Sequence, residues 1–174
     1  YGAYTAFVYL TPIFGGFISD RWLGRRRAVI LGGAIMAAGH FFMAFEPLFY
    51  LALATIALGN GLFLPSLPSQ VRGLYAPNDP RRGSAFNIYY VGINLGAFLA
   101  PLVCGTLGEL YGWHWGFGAA GVGMVLGLAV FIWGRPYLPP DEPRPPRGSR
   151  PAGEAPAGRL LALLAAVGVS VVVF

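Results

Sequence analysis

Long apolar runs without charge divide this chain, and short charged breaks separate them. Complete runs lie at about 1–19, 28–45, 48–71, 84–108 and 115–134. Each has about the 20 residues that a helix needs to cross a bilayer. The runs are apolar on all sides, and they lack the short alternating strands of a membrane barrel. The pattern therefore predicts an all-α membrane protein whose spans are these five runs.

Charge is scarce, and its placement matters more than its sum. Only 11% of the residues are charged, whereas a soluble domain carries about 25%. This argues against a disordered chain and against a conventional cytosolic enzyme. The net charge of +5 suggests nucleic acid at first. However, the arginines sit in short turns between runs and form no continuous basic face, so we expect no nucleic-acid partner.

The charged breaks alternate in sign. All twelve basic residues are Arg, and they lie in or beside the first, third and fifth breaks. The other two breaks contain Glu46 and Glu109 but no Arg. The positive-inside rule then predicts a multi-pass protein of the cell membrane, with its Arg-rich loops in the cytoplasm and lipid around its helices.

After the fifth run the composition changes. Residues 135–158 contain eight of the 15 prolines together with Arg and acidic residues, which is typical of an extended polar linker. Residues 159–174 are again apolar and predict the start of a further, truncated transmembrane helix. The chain also begins inside an apolar run, so we expect it to be a fragment of a larger membrane protein.

Glycine and proline inside the runs indicate how the helices pack. Gly92 and Gly96 have the small-residue spacing at which helix backbones approach closely in lipid. Pro65 and Pro68 lie near the inner end of the third run. They indicate either a kink that faces protein or a cavity, or simply the end of a helix.

The runs offer little catalytic chemistry. Cys104 is the single cysteine, so a disulfide or a Cys-based metal site is excluded, and we expect no metal. His40 could relay protons or make a structural hydrogen bond. No catalytic triad, phosphate loop or carboxylate pair is evident, and no run contains a charged residue. An enzyme is therefore not expected.

One turn combines glycine with charge. The sequence GGFISDRWLGRRR at 15–27 joins two runs. Gly16 would allow close packing, Gly24 would permit a tight turn, and Asp20 could pair with a nearby Arg to form a charged latch. The alternative is that these charges only set the topology.

Two stretches carry a family resemblance. The 15–27 turn resembles the loop between the second and third helices of the major facilitator superfamily, and in detail that of the proton-dependent oligopeptide transporters. The sequence FNIYYVGINLGAF at 86–98 resembles the fifth-helix signature of the same family. The resemblance covers about residues 1–138 as the second to sixth helices. It implies most of an amino-terminal helical bundle whose partner is the carboxy-terminal bundle of the same full-length chain.

The resemblance also implies a function. Proteins of this family take up di- and tripeptides together with protons by alternating access. They use the proton gradient and need no cofactor. Tyr9 and Asn94 match the positions that contact the peptide, although helix packing and an interhelical hydrogen bond are the plain alternatives. The conformational latch would consist of Gly16, Asp20, Arg21, Gly24 and Arg25.

One motif departs from the family. In the run FLPSLP at 63–68, Leu64 stands where the family has a lysine and Ser66 where it has an asparagine. That lysine is linked to the peptide carboxylate and to proton coupling, and leucine cannot carry charge. This departure keeps open a transporter of the same fold for a non-peptide solute. Since no run contains a charged residue, a membrane scaffold subunit without transport is a second alternative.

Overall fold

A computed structural model of the chain describes residues 2–76 and 78–138, and all regular structure in this part is helical. The predicted all-α class is therefore confirmed for this part of the chain. Its α-helices are α1 (Gly2–Ile18), α2 (Arg25–Phe42), α3 (Phe49–Gly73), α4 (Arg81–Ala100), α5 (Thr106–Tyr111) and α6 (Trp113–Gly134).

Helices α2 and α4 extend beyond the uncharged runs at their Arg-rich ends. Arg25 and Arg81 are the first residues of α2 and α4, because a long Arg side chain can leave the apolar zone while its backbone stays helical. Three continuous helical stretches are long and apolar enough to cross a membrane: Glu46–Gly73, Arg81–Tyr111 and Trp113–Tyr137. The spans at 1–19 and 28–45 stay predictions.

Two π-helical turns and two glycines connect the elements. The turn Pro101–Gly105 joins α4 to α5 without a break, and it begins at a proline that cannot donate the usual backbone hydrogen bond. The turn Ser19–Leu23 ends α1. Gly24 and Gly112 then stop the helices with φ of 81° and 107°, values that side chains other than glycine rarely adopt.

The closely packed pairs are α2 with α3, α1 with α3, and α2 with α6. Glycines allow α2 and α3 to touch through their backbones. A Cβ on Gly32 would lie 2.7 Å from the carbonyl oxygen of Gly59, and one on Gly39 would lie 3.2 Å from that of Ala52. The buried apolar side chains of the described residues follow this contact: Ala28, Val29, Ala37, Ala52, Ile56 and Ala57.

Helix α4 differs from the others because none of its residues is buried. A Cβ added to Gly92 or Gly96 would meet no atom within 4 Å. Among the described residues, the expected close helix approach at these two glycines is therefore wrong.

The structure decides between the two interpretations of the prolines in α3. Helix α3 runs through Pro65 and Pro68 to Gly73, so the interpretation of these prolines as a helix end is wrong. Of the predicted linker, only 135–138 is described, and it begins with a 3-10 turn. Residues 139–158 of the linker and the predicted further helix at 159–174 lie outside the described residues.

Candidate functional site

The turn between α1 and α2 brings the predicted latch residues together. Gly24 donates its backbone N–H to the carbonyl of Ser19 at 2.9 Å, which closes the π-helical turn. Arg25 Nε then lies 3.3 Å from Asp20 Oδ1. The Asp20 side chain is 64% exposed and the Arg25 side chain 34%. An exposed pair of this kind contributes only about 0–1 kcal/mol, so it orients the turn more than it stabilises the fold.

The latch residues Arg21 and Gly16 contact α1 and α3, respectively. The Arg21 guanidinium lies 5.6 Å from the centre of the Phe17 ring, a cation–π distance. Gly16 lies beside Pro65 of α3, because a Cβ on Gly16 would be 3.5 Å from the Pro65 Cβ. The end of α1 that leads into the turn is thus packed against α3.

Arg26 makes a contact that the sequence did not reveal. Its Nη2 donates to the backbone carbonyl of Leu138, which follows α6 and its 3-10 turn. The sequence indicated Arg26 only as part of a topology signal. The contact joins the start of α2 to the residues that follow α6.

Tyr9, the first predicted peptide contact, is 68% exposed on α1. It directly follows Val8, whose carbonyl accepts a hydrogen bond from Asn60 Nδ2 of α3 at 3.2 Å. Its phenol is therefore accessible, while the backbone beside it is attached to α3.

The α1–α3 interface beside Tyr9 is narrow and partly polar. Thr11 Oγ1 donates to the carbonyl of Ala57 at 2.8 Å. A Cβ on Gly15 would overlap the carbonyl oxygen of Gly61, so the two backbones touch there. Beside the turn that follows α1, the buried hydroxyls of Ser19 and Ser66 lie 3.0 Å apart. Hydrogen bonds between helices matter in lipid because apolar burial no longer drives the helices together.

Asn94, the second predicted contact, is exposed on α4. Its Nδ2 donates to the carbonyl of Tyr90 one turn earlier, at 2.8 Å. This bond fixes the orientation of the side-chain amide, and the amide oxygen takes no part in it. Within the described residues, α1 and α4 are not among the closely packed pairs. The structure therefore does not bring Tyr9 and Asn94 together.

The two departures from the family motif occupy different environments on α3. Leu64 is 48% exposed and lies one helical turn after Asn60. Ser66 is buried, with 1% exposed, and its hydroxyl also bonds the carbonyl of Leu62 at 2.7 Å. Leu64 can therefore contact a ligand or a neighbouring segment, while Ser66 stabilises the α1–α3 interface.

A cavity of 410 Å³ lies near the predicted outer ends of the helices. His40, Cys104 and Trp113 are among the residues that line it. The His40 Nδ1 is buried without a hydrogen-bond partner, so that atom does not make the predicted structural bond. In the described part of the chain, no group of three His, Cys, Asp or Glu residues could hold a metal ion.

Comparison with known proteins gives one consistent result. The profile of the POT family (PTR2) matches residues 26–148. The "Uncharacterized transporter YclF" of Bacillus subtilis is 47% identical over 131 residues, which is 74% of this chain and 27% of that protein. The "Peptide transporter YePEPT" of Yersinia enterocolitica is 42% identical over 135 residues, 75% of this chain and 26% of that protein. The chain therefore spans about a quarter of these relatives.

A solved structure agrees with the sequence matches. It is a crystal structure of a mutant of the peptide transporter POT in complex with alafosfalin. It superposes with a TM-score of 0.77 at 43% identity, and the match covers 98% of this chain and 35% of that one.

Proposed function

This chain belongs to the POT family, and on that premise we propose that it works as part of a proton-coupled transporter of di- and tripeptides. It would supply the second to sixth helices of an amino-terminal bundle that acts with a carboxy-terminal bundle of the same protein. Transport would follow alternating access. The proton gradient would supply the energy, without a further cofactor and without catalysis.

One observation carries this proposal. The likeness to a peptide transporter structure covers 98% of the chain at 43% identity, and this identity extends through the helices with Tyr9 and Asn94. The relative from Yersinia is also named as a peptide transporter. Because the chain spans only about a quarter of such relatives, substrate and coupling for the whole protein remain our proposal.

Within this proposal, Tyr9 and Asn94 contact the peptide. A hydroxyl and an amide are suitable neutral partners for a zwitterionic ligand in a wet cavity. Exposure of both residues supports this assignment.

The turn between α1 and α2 would act as a conformational latch in the cytoplasm. The Asp20–Arg25 pair and the closed turn at Gly24 support this role. The Arg-rich ends of α2 and α4 support the cytoplasmic orientation of a multi-pass protein in the cell membrane.

Uptake into proteoliposomes tests the proposal. The full-length transporter that carries this chain would be reconstituted with an inward proton gradient and a labelled dipeptide. We expect saturable uptake that unlabelled di- and tripeptides compete and that collapses with the gradient. Empty liposomes and a Tyr9→Phe, Asn94→Leu double variant are the controls. Uptake that peptides do not compete would refute the peptide assignment.

Leu64 favours a second candidate, a transporter of the same fold for a non-peptide solute. An exposed leucine stands where the family lysine would meet a carboxylate. If peptides are the substrate, Leu64→Lys should strengthen peptide affinity or proton dependence, while Leu64→Met should change neither. No change with Leu64→Lys would mean that this position does not face the peptide.

A further inference from the structure

Pro12 and Pro65 each remove a backbone hydrogen bond from their helix, and α3 also contains Pro68. Pro12 lies inside α1 and Pro65 inside α3. A proline has no N–H, so the carbonyl four residues earlier loses its partner within the helix. These carbonyls belong to Val8 and Gly61. An open carbonyl inside a bilayer costs free energy unless another group satisfies it.

Both of these carbonyls face the opposite helix. The Val8 carbonyl accepts the amide of Asn60 at 3.2 Å. The Gly61 carbonyl, next to Asn60 in sequence, lies against Gly15, where only a glycine fits. Each helix therefore presents its proline-opened carbonyl to the other across the α1–α3 interface.

The Asn60 amide stands in for the backbone N–H that Pro12 lacks. Its side chain is partly buried, so water competes for this bond less than it would on an open surface. Thr11 makes a second connection one turn away by donating to Ala57. Between these two bonds lies the backbone of Tyr9, whose ring is exposed.

We propose that Asn60 is a positioning residue for the ligand: by holding the Val8 carbonyl it fixes the Tyr9 segment of α1 against α3. This inference rests on the proposed function, because it assigns Asn60 to the binding of the transported peptide. Asn60 acts through the backbone and does not itself touch the peptide. Without its amide, the segment at Val8 and Tyr9 can move away from α3, and Tyr9 no longer meets the ligand in one geometry.

Dipeptide uptake in proteoliposomes tests this role in the full-length transporter. Asn60→Leu keeps the size of the side chain but removes the donor. We expect the KM for the dipeptide to rise by about three- to tenfold, the equivalent of one hydrogen bond, with little change in the maximal rate per folded protein. A purely structural residue would reduce the amount of folded transporter and leave KM unchanged.

Pro12→Ala supplies the matched rescue. It restores a backbone N–H that can donate to the Val8 carbonyl within α1. The Asn60 amide is then no longer needed to satisfy that carbonyl. Asn60→Leu added to Pro12→Ala should then change KM by less than about twofold. The effects of Asn60→Leu and Tyr9→Phe should also be non-additive. An unchanged KM in Asn60→Leu, or the same rise with and without Pro12→Ala, would overturn the inference.

Thermal unfolding of the same purified variants separates this inference from the proposed function. The melting temperature should fall in Asn60→Leu, and it should fall much less when Pro12→Ala is present. If the wild type shows no peptide-competed uptake, the proposed function and the peptide-positioning role both fail. The unfolding cycle then still decides whether Asn60 replaces the bond that Pro12 removes, and equal falls in both backgrounds would overturn that part too.

Discussion

The α1–α3 interface and helix α4 both contain glycines, but these glycines pack differently. At the interface, Gly15 and Gly61 bring two backbones into contact. In α4, Gly92 and Gly96 have open space around them. Small residues permit a close approach between helices, but hydrogen bonds and packing with a specific partner create it. The interface has such bonds, from Thr11 to Ala57 and from Asn60 to Val8.

The two predicted ligand contacts lie in these two different packing environments. Tyr9 lies beside the closely packed interface, whereas Asn94 belongs to a helix without buried residues. We expect changes around Tyr9 to act through helix packing and changes around Asn94 to act locally.

Among the variants that test the contrast between the α1–α3 interface and α4, Gly15→Ala should have the largest effect on stability. Its Cβ would overlap the Gly61 carbonyl oxygen, and backbone cannot move aside as cheaply as a flexible side chain. We expect a loss of about 3 kcal/mol of unfolding free energy, measured by thermal unfolding of the chain in detergent. Gly92→Ala is the matched control and should lose no stability, because its Cβ meets open space and alanine stabilises a helix interior by up to about 1 kcal/mol relative to glycine. Equal losses in the two variants would contradict the contrast.

The Ser19–Ser66 bond should have a smaller effect. Both hydroxyls are buried and lie 3.0 Å apart. Ser19→Ala removes one side of the bond, while Ser66 keeps its bond to Leu62. We therefore expect a loss of about 1 kcal/mol. Ser84→Ala on the exposed start of α4 is the control and should be neutral; a Ser19→Ala variant as stable as this control would show that the buried bond contributes nothing.

The smallest expected effect is that of protonating Asp79, which lies just before α4. Hydrogen bonds from the Arg81 side chain and backbone lower the pKa of the Asp79 carboxyl. The carboxylate therefore stabilises this turn above the ordinary pKa of aspartate. That stabilisation is lost as pH falls through the lowered value.

An NMR titration of the Arg81 amide between about pH 6 and about pH 2 measures this effect. We expect a midpoint below the usual aspartate range and a flat response in Asp79→Asn. A midpoint at or above the usual value would mean that these bonds do not persist in solution, and α4 would then lack even this local support at its start.

The sequence predicted the helices and the Asp20–Arg25 ion pair better than the contacts between helices. Uncharged run length indicates a helix, and the spacing from Asp20 to Arg25 across Gly24 indicates a pair because both are local. The bond between Asn60 and Val8 joins residues 52 positions apart. A polar residue among apolar ones together with Pro12 was its only sequence signal. The bond from Arg26 to Leu138 had no local signal.

Two expectations failed because helix identity does not determine helix neighbours. Glycine spacing in α4 predicted close packing, but none of the described segments lies against Gly92 or Gly96. Pro65 and Pro68 allowed a helix end, yet α3 continues through both, and Ser66 between them lies buried against Ser19. Neither the open space at the α4 glycines nor the continuation of α3 follows from the local sequence.

Labelling of single cysteines tests whether α4 presents Asn94 to the peptide while the α1–α3 interface stays closed to solvent. Asn94→Cys and Ser66→Cys would be made in the full-length transporter with Cys104→Ser as background. A membrane-impermeant maleimide would then be applied with and without saturating dipeptide. We expect that Asn94→Cys reacts with the maleimide, that dipeptide slows this reaction, and that Ser66→Cys stays unlabelled. Rapid labelling of Ser66→Cys, or labelling of Asn94→Cys that dipeptide does not slow, would contradict it.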